Sequence, residues 1–263
     1  MGLAYIYWDV SPEIFPMGNF GIRWYGLFFA LSFILGYVIM GHVFRREKIR
    51  AALLDRLTTY MVIGTVIGAR LGHCLFYEPS YYLSNPIRIL KIWEGGLASH
   101  GAAVGILIAL YFFSRSAGKT YLWILDRIVI VVALAGFLIR MGNLMNSEIY
   151  GDATSLPWGF IFARYESIPK HPTQIYEGLS CLLIALFLYL TYRRRYPHLT
   201  DGLLFGWFLV LLFSLRFLIE FIKEPQVGFE EGMILNMGQL LSIPFILLGA
   251  FVLYRTVLKK QPA

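Results

Sequence analysis

Charge is scarce in this sequence. Asp, Glu, Lys and Arg together make up 15% of its 263 residues, too few to cover a water-soluble globule of that size. Cysteine is nearly absent. Cys74 and Cys181 lie far apart in apolar segments, which argues against a disulfide framework or zinc site and leaves both as packing residues. No linker, internal repeat or low-complexity tract interrupts the chain, so residues 1–263 read as one polytopic domain. Met1 to Gly18 lacks a basic region followed by an apolar run and a small-residue cleavage site, so it does not read as a removable signal peptide. Familiar catalytic motifs are missing too. There is no G-x-S-x-G elbow, no H-E-x-x-H helix and no G-x-G-x-x-G run. Gly118-Lys119-Thr120 resembles the end of a phosphate loop, but Phe113 stands where its first glycine belongs. No Asp-rich metal constellation is present. No cofactor is therefore expected, and any phosphate must be handled by arginine.

Apolar and aromatic residues are abundant instead, at 58% and 17%, with a mean hydropathy of +0.63. A membrane span needs roughly 20 predominantly apolar residues. Candidates are Trp24–Phe44, Thr58–Tyr77, Leu97–Phe113, Leu122–Asn143, Gln174–Tyr192, Gly202–Phe221 and Leu235–Tyr254. The expected class is an all-α integral membrane protein, a bundle of about seven transmembrane helices. Basic residues fall unevenly between alternate connections. One set holds Arg45, Arg46, Lys48, Arg50, Arg56, Arg115, Lys119, Arg193, Arg194, Arg195, Arg255, Lys259 and Lys260. The other holds Arg23, Arg88, Lys91, Arg164 and Lys170. Thirteen against five places the first set in the cytoplasm, with the N-terminus outside and the C-terminus inside. The net charge of +7 is thus a topology signal, and no nucleic acid partner is expected.

Two non-cytoplasmic segments stand out. Ser80 to Trp93 mixes apolar, aromatic and basic residues as an interfacial amphipathic helix does. Ser147 to His171 is too polar to span and reads as a small cap. Gly64, Gly68 and Gly72 in the second span, and Gly101 and Gly105 in the third, recur every four residues. That spacing lines one helix face and lets two backbones approach closely.

Ionisable groups within spans are costly, so each is a functional candidate unless it snorkels or pairs. Arg70 and His73 lie near the outer end of the second span. Asp126 and Arg127 lie near the inner end of the fourth, where both can reach water. Arg140 opens the run Arg140-Met141-Gly142-Asn143-Leu144-Met145-Asn146-Ser147-Glu148-Ile149-Tyr150-Gly151. If the helix persists, Asn143 sits one turn on and Asn146 another, giving with Glu148 a convergent polar cluster. Arg216 and Glu220 stand at i and i+4 of the sixth span. An intrahelical ion pair would explain them. Alternatively, Arg140 and Arg216 at one depth form a phosphate clamp, since guanidinium is a planar fork matched to phosphate oxygens. His100, between small residues at the outer start of the third span, is either a hydrogen-bonded structural residue or a proton carrier near neutral pH. Tyr25 lies at the same level, and His171 begins the polar run His171-Pro172-Thr173-Gln174-Ile175-Tyr176-Glu177.

Together these residues resemble the bacterial prolipoprotein diacylglyceryl transferases. The likeness covers Trp24-Tyr25-Gly26-Leu27, Gly68-Ala69-Arg70-Leu71-Gly72, Gly95 to Gly101, Arg140 to Gly151, His171 to Glu177, Arg216 through Glu220, and Gly238 to Pro244. Arg140 to Gly151 is the most specific, although Ile139 replaces the glycine that opens the family's signature. The resemblance implies transfer of a diacylglyceryl group from phosphatidylglycerol to the lipobox cysteine thiol of a prolipoprotein signal peptide. Glycerol-1-phosphate would leave, at the outer leaflet of the bacterial cytoplasmic membrane, among membrane lipids and without metal. It further implies that Arg140 and Arg216 hold the lipid phosphate and that His100 and Tyr25 lie at the reacting centre. Asn143, Asn146, Glu148 and Gly151 would shape that centre, with Arg70, Glu220 and His171 in support. Leu212 replaces a tyrosine of the family, so that residue's role does not carry over, and Lys223 replaces a familiar arginine, weakening any bidentate contact there.

Two other classes compete. A transporter would line a pathway with its intramembrane charges, but the charges cluster near one end and no paired broken helices suggest inverted repeats. A structural scaffold would leave the Arg140–Glu148 cluster unexplained.

Overall fold

The computed structural model describes residues 5–15, 21–225 and 233–258. Residues 1–4 and 16–20 of the N-terminal stretch, and the basic Lys259 and Lys260, lie outside them. Among the described residues seven helices are long and apolar enough to cross a membrane, one for each span expected from hydropathy. They are α1 (Trp24–Arg46), α2 (Ala51–Phe76), α4 (Ser99–Ala117), α5 (Tyr121–Met145), α6 (Thr173–Arg195), α7 (Leu203–Ile219) and α8 (Met237–Leu258), with α3 (Pro79–Ser84) a short addition. The protein is a multi-pass, all-α membrane protein. Its contacts form two compact units, 39–125 and the remainder.

In the 39–125 unit, α2 and α4 pack along the glycine seam. A Cβ on Gly68 would strike the carbonyl oxygen of Gly101, and one on Gly72 would lie 2.6 Å from the Gly101 Cα. Only residues without side chains permit this approach, as their four-residue spacing implies. The 80–93 stretch is not one interfacial helix. It breaks into α3 and two 3-10 turns, Pro86–Leu90 and Ile92–Glu94. Pro86 cannot donate to the preceding turn, and the carbonyls of Arg88 and Ile89 are drawn instead to the Arg70 guanidinium.

In the other unit, the cap is stitched to the N-terminal segment, which the span reading left without structure. Strand β1 (Ile6–Trp8) pairs in parallel with β4 (Phe160–Phe162), while β2 (Glu13–Phe15) and β3 (Ile22–Arg23) pair antiparallel. Phe160, Phe162 and Leu144 form a buried cluster, against which Trp8, Met141, Tyr150 and Ile175 pack. The Trp8 indole donates to the Leu144 carbonyl at 3.0 Å, which also accepts the Ser147 amide just past the end of α5.

Asp126 and Arg127 do not reach water; they are 0% and 4% exposed. The Asp126 carboxylate accepts the amides of Gly202 at 2.7 Å and Phe205 at 2.8 Å. It therefore caps the start of α7, where amides lack partners and the helix dipole favours a negative charge. Arg127 lies 4.0 Å from Asp126 and 3.8 Å from Asp201. Hydropathy alone could not show that a carboxylate on one helix ends up at the start of another.

Candidate functional site

The helix that carries Arg140 stops at Met145, and its last turn closes with the Asn146 amide on the Gly142 carbonyl at 3.1 Å. The chain then turns sharply. Ser147 and Ile149 take φ values of 54° and 60°, the left-handed region that a β-branched residue rarely enters. Between them Glu148 is aimed back at α5. Its Oε1 accepts Asn143 Nδ2 at 2.7 Å and Asn146 Nδ2 at 3.2 Å. The start of α6 secures the turn from the other side, where Gln174 Nε2 donates to the Glu148 carbonyl at 2.8 Å and Thr173 Oγ1 to the Ile149 carbonyl at 2.9 Å. The expected convergence of Arg140, Asn143, Asn146 and Glu148 is thus met, with strained backbone as the means.

Arg140 is held at two points, by one hydrogen bond and one ion pair. Nη1 donates to Asn143 Oδ1 at 3.2 Å and Nε lies 2.5 Å from Glu177 Oε2. Glu177, in the sequence only one polar group of the run from His171, is the carboxylate that the fold brings to Arg140. Its other oxygen takes Lys223 Nζ at 3.1 Å, and Lys223 also lies 3.5 Å from Glu220. A chain of alternating charges results, Arg140, Glu177, Lys223, Glu220, in which the last three residues are buried. A carboxylate one turn into an apolar span was the available signal. Lys223 needs no fork here, because a compact ammonium shared by two carboxylates is what the geometry uses.

Arg216 does not pair with Glu220. Among the described residues its side chain, half-buried on α7, has neither an ion-pair nor a hydrogen-bond partner. A guanidinium so placed suits an anion supplied from outside the chain. The buried Asn146 Oδ1 likewise accepts no hydrogen bond among the described residues, and buried polar atoms are ordinarily satisfied. Leu212 offers no polar group near the end of α7.

Two glycines have steric reasons. A Cβ on Gly142 would lie 2.8 Å from the Tyr25 ring, so Tyr25 of α1 packs on this gap in α5. At Gly151 a Cβ would strike the Ile222 carbonyl, because the 151–152 backbone bonds to both Ile222 and His171. His171 contributes its backbone to this crossing, and its ring lies 3.4 Å from the Tyr176 hydroxyl. In the cap beyond, Lys170 pairs with Glu224 and the Tyr150 hydroxyl donates to Glu166 at 3.1 Å. Burial, helped by that bond and by the charges of Glu166 and Glu224, pushes the Tyr150 hydroxyl up to about 12.

In the 39–125 unit, Arg70 is 3% exposed and serves structure. Its guanidinium donates to the carbonyls of Ile89 at 2.9 Å, Arg88 and Gly95 at 2.5 Å each, and Gly96 at 3.2 Å. The cation also lies 4.9 Å from the Tyr82 ring centre. With four donors engaged, no bidentate fork remains for a phosphate. His100 is exposed, stacked on Tyr77 at 5.6 Å and edge-on to Phe76 at 6.0 Å. Its ring nitrogens have no protein partner among the described residues. No three His, Cys, Asp or Glu side chains gather among the described residues as a metal site would require.

The model of the prolipoprotein diacylglyceryl transferase family matches residues 12–255. The chain is 49% identical over 259 residues to the phosphatidylglycerol–prolipoprotein diacylglyceryl transferase of Chloroherpeton thalassium, covering 98% of this chain and 97% of that protein. The enzymes of the same name from Tolumonas auensis and Porphyromonas gingivalis are 45% and 46% identical. They cover 97% of this chain in each case, and 99% and 95% of their own length.

Proposed function

We infer that this chain, which belongs to the prolipoprotein diacylglyceryl transferase family, moves a diacylglyceryl group from phosphatidylglycerol to a prolipoprotein. It is a transferase, and the reaction is the first step of lipoprotein maturation. In this reading the acceptor is the lipobox cysteine of the signal peptide. Its sulfur attacks the glyceryl carbon that carries the phosphate. The carbon–oxygen bond breaks, a thioether forms, and glycerol-1-phosphate leaves with the bonding pair. The protein lies in the bacterial cytoplasmic membrane as a single polytopic domain, N-terminus outside and C-terminus cytoplasmic, with its site toward the outer leaflet.

The state of the two arginines carries this reading. Glu177 and Asn143 hold Arg140 by Nε and one Nη1 donor, which leaves its Nη2 edge for phosphate oxygens. Arg216 has no anion of its own among the described residues. Charge developing on the departing phosphate ester needs donors fixed in advance in a low-dielectric site, and two such guanidiniums supply them. Asn143, Asn146 and Glu148 shape the headgroup end, with the free Asn146 Oδ1 suited to a glycerol hydroxyl. Tyr25 and His100 belong to the reacting centre. A free thiol has a pKa of about 8.5 and reacts as its thiolate, so His100 is the candidate to take the proton; stabilisation by the arginines is the alternative route. Purified protein given phosphatidylglycerol and a lipobox peptide is expected to yield the cysteine thioether and free glycerol phosphate in equal amounts. Failure to form either product would overturn the assignment.

A further inference from the structure

The α2–α4 pair has a second charged end. Phe76, Tyr77 and His100 cluster at one end, while at the other the 47–50 turn and the last turn of α4 enclose an open bowl of about 710 Å³. Lys48, Arg50, Arg56 and Lys119 line it, and Glu47 is the one acid among its lining residues. Glu47 already accepts Trp123 Nε1 at 3.2 Å. Among the described residues, the side chains of Lys48, Arg50 and Arg56 have no ion pair, and Lys119 only leans over the Trp123 ring at 5.3 Å. Orientation in a membrane needs basic residues at this end, but it does not need them around a hollow.

The same helix faces continue into an apolar groove. On α2, Leu53 and Arg56 are followed at spacings of three and four by Tyr60, Ile63 and Ile67, and on α4 Ser116 is followed back by Phe112, Ile108 and Val104, with Lys119 just past the helix end. Residues so spaced share a face. The groove, of about 640 Å³, lies over the glycine seam and ends at His100. Its walls Ile63, Ile67, Val104 and Ile108 are each more than 50% exposed among the described residues. From Arg50 to Phe76 the helix rises about 39 Å, close to a bilayer with its headgroups. The bowl therefore lies at headgroup level in the leaflet opposite the one at His100's end. Cations clustered between spans at such a level suit an anionic lipid headgroup, and the groove suits its chain.

We propose that the bowl binds the phosphate of an anionic phospholipid of that opposite leaflet, with one acyl chain in the α2–α4 groove. This lipid is not transferred; neither Arg140 nor Arg216 lines the bowl or the groove, and His100 alone of the proposed reacting residues borders the groove, at its far end. The test is native mass spectrometry of the whole purified protein titrated with dioleoyl phosphatidic acid and with dioleoyl phosphatidylcholine. One phosphatidic acid per chain should bind preferentially, and Lys48→Gln/Arg50→Gln/Arg56→Gln/Lys119→Gln should weaken it at least about 100-fold, since each cation near a membrane surface is worth about a factor of five. Arg193→Gln/Arg194→Gln/Arg195→Gln, which removes basic charge elsewhere, should leave it in place, as should Arg140→Ala/Arg216→Ala, which separates this site from the transfer reading. Ile67→Trp, narrowing the groove without touching a charge, should also weaken it. Unchanged affinity in the four-residue variant overturns the proposal, as does an equal loss in the α6 variant. Displacement by millimolar inorganic phosphate would also overturn it, because the site would then hold free phosphate and not a lipid.

Discussion

Glu177 on α6 lies 2.5 Å from the Nε of Arg140 on α5, and its second oxygen holds the ammonium of Lys223 at 3.1 Å. One carboxylate thus fixes the orientation of a guanidinium and is itself balanced by a second cation. Buried charges of this kind add little net stability when paired, but removing one partner is expensive because the others stay buried.

Glu177→Ala is therefore expected to destabilise the protein by about 3–5 kcal/mol, leaving Arg140 without its carboxylate and Lys223 with Glu220 alone. Glu177→Gln keeps the shape and one acceptor, so it should fold better than Glu177→Ala yet turn over slowly. Thermal unfolding in detergent, beside a transfer assay, checks both. Equal stability of Glu177→Ala and wild type would mean that the ion pairs do not form.

Arg140→Ala and Arg216→Ala should each lower kcat/KM about 100- to 1000-fold, the usual loss when a fixed donor to developing charge is removed. Arg216→Lys should keep part of the rate as a point charge, while Arg140→Lys should keep less, since a lysine cannot hold both Glu177 and the phosphate as a planar fork does. Initial rates over a range of phosphatidylglycerol content would measure this. Near-normal activity in either alanine variant would make that arginine structural.

His100→Gln should lower the transfer rate and alter its dependence on pH, as expected when a group that carries the reaction's proton is lost. The comparison is of complete pH–rate profiles for the two proteins. A slower variant with an unaltered profile would remove His100 from proton transfer and leave the arginines to stabilise the thiolate.

Asp126→Ala takes away the cap of α7 and the carboxylate 4.0 Å from Arg127. A lost cap costs about 0.5–2 kcal/mol, and the weakened buried pairing adds to it. The expected signature is a lower unfolding temperature with the specific activity of the folded fraction retained. A large fall in that specific activity would give Asp126 a role beyond the cap.

Tyr150 gives a pH prediction for the cap. Its hydroxyl is held near 12, above the ordinary value of 10, so the native state favours the protonated form. The stabilisation is present below pH 10 and is lost as the pH rises from 10 to 12. Tyr150→Phe should remove that step from an alkaline unfolding curve, and ultraviolet titration should show one fewer late-ionising tyrosine. A Tyr150 that ionises with the bulk of the tyrosines would contradict the packing against Phe162 and Glu166.

Composition and periodicity were enough to determine much of this protein. Seven apolar runs could only become seven helices, because backbone amides in lipid must be satisfied within their own segment. Glycines every four residues announced the α2–α4 seam, and Arg140, Asn143 and Asn146 gathered near the end of one helix because local spacing suffices for that. Glu148 joined them through a turn whose left-handed residues no propensity would have suggested. What local spacing cannot reach, tertiary structure decided. Glu220 was four residues from Arg216, yet it pairs with Lys223, and Arg216 is left without a partner among the described residues. Arg70 was expected in a supporting place, and only the folded chain shows what its guanidinium holds, four carbonyls of the broken 86–96 segment. Asp126 looked able to reach water and instead caps a helix that begins 77 residues later. Lys223 is only three residues from Glu220 but is held from α6 by Glu177 as well; the partners of Arg70 and Asp126 are distant in sequence, and a charge in a low-dielectric interior goes to whichever partner the packing brings within reach.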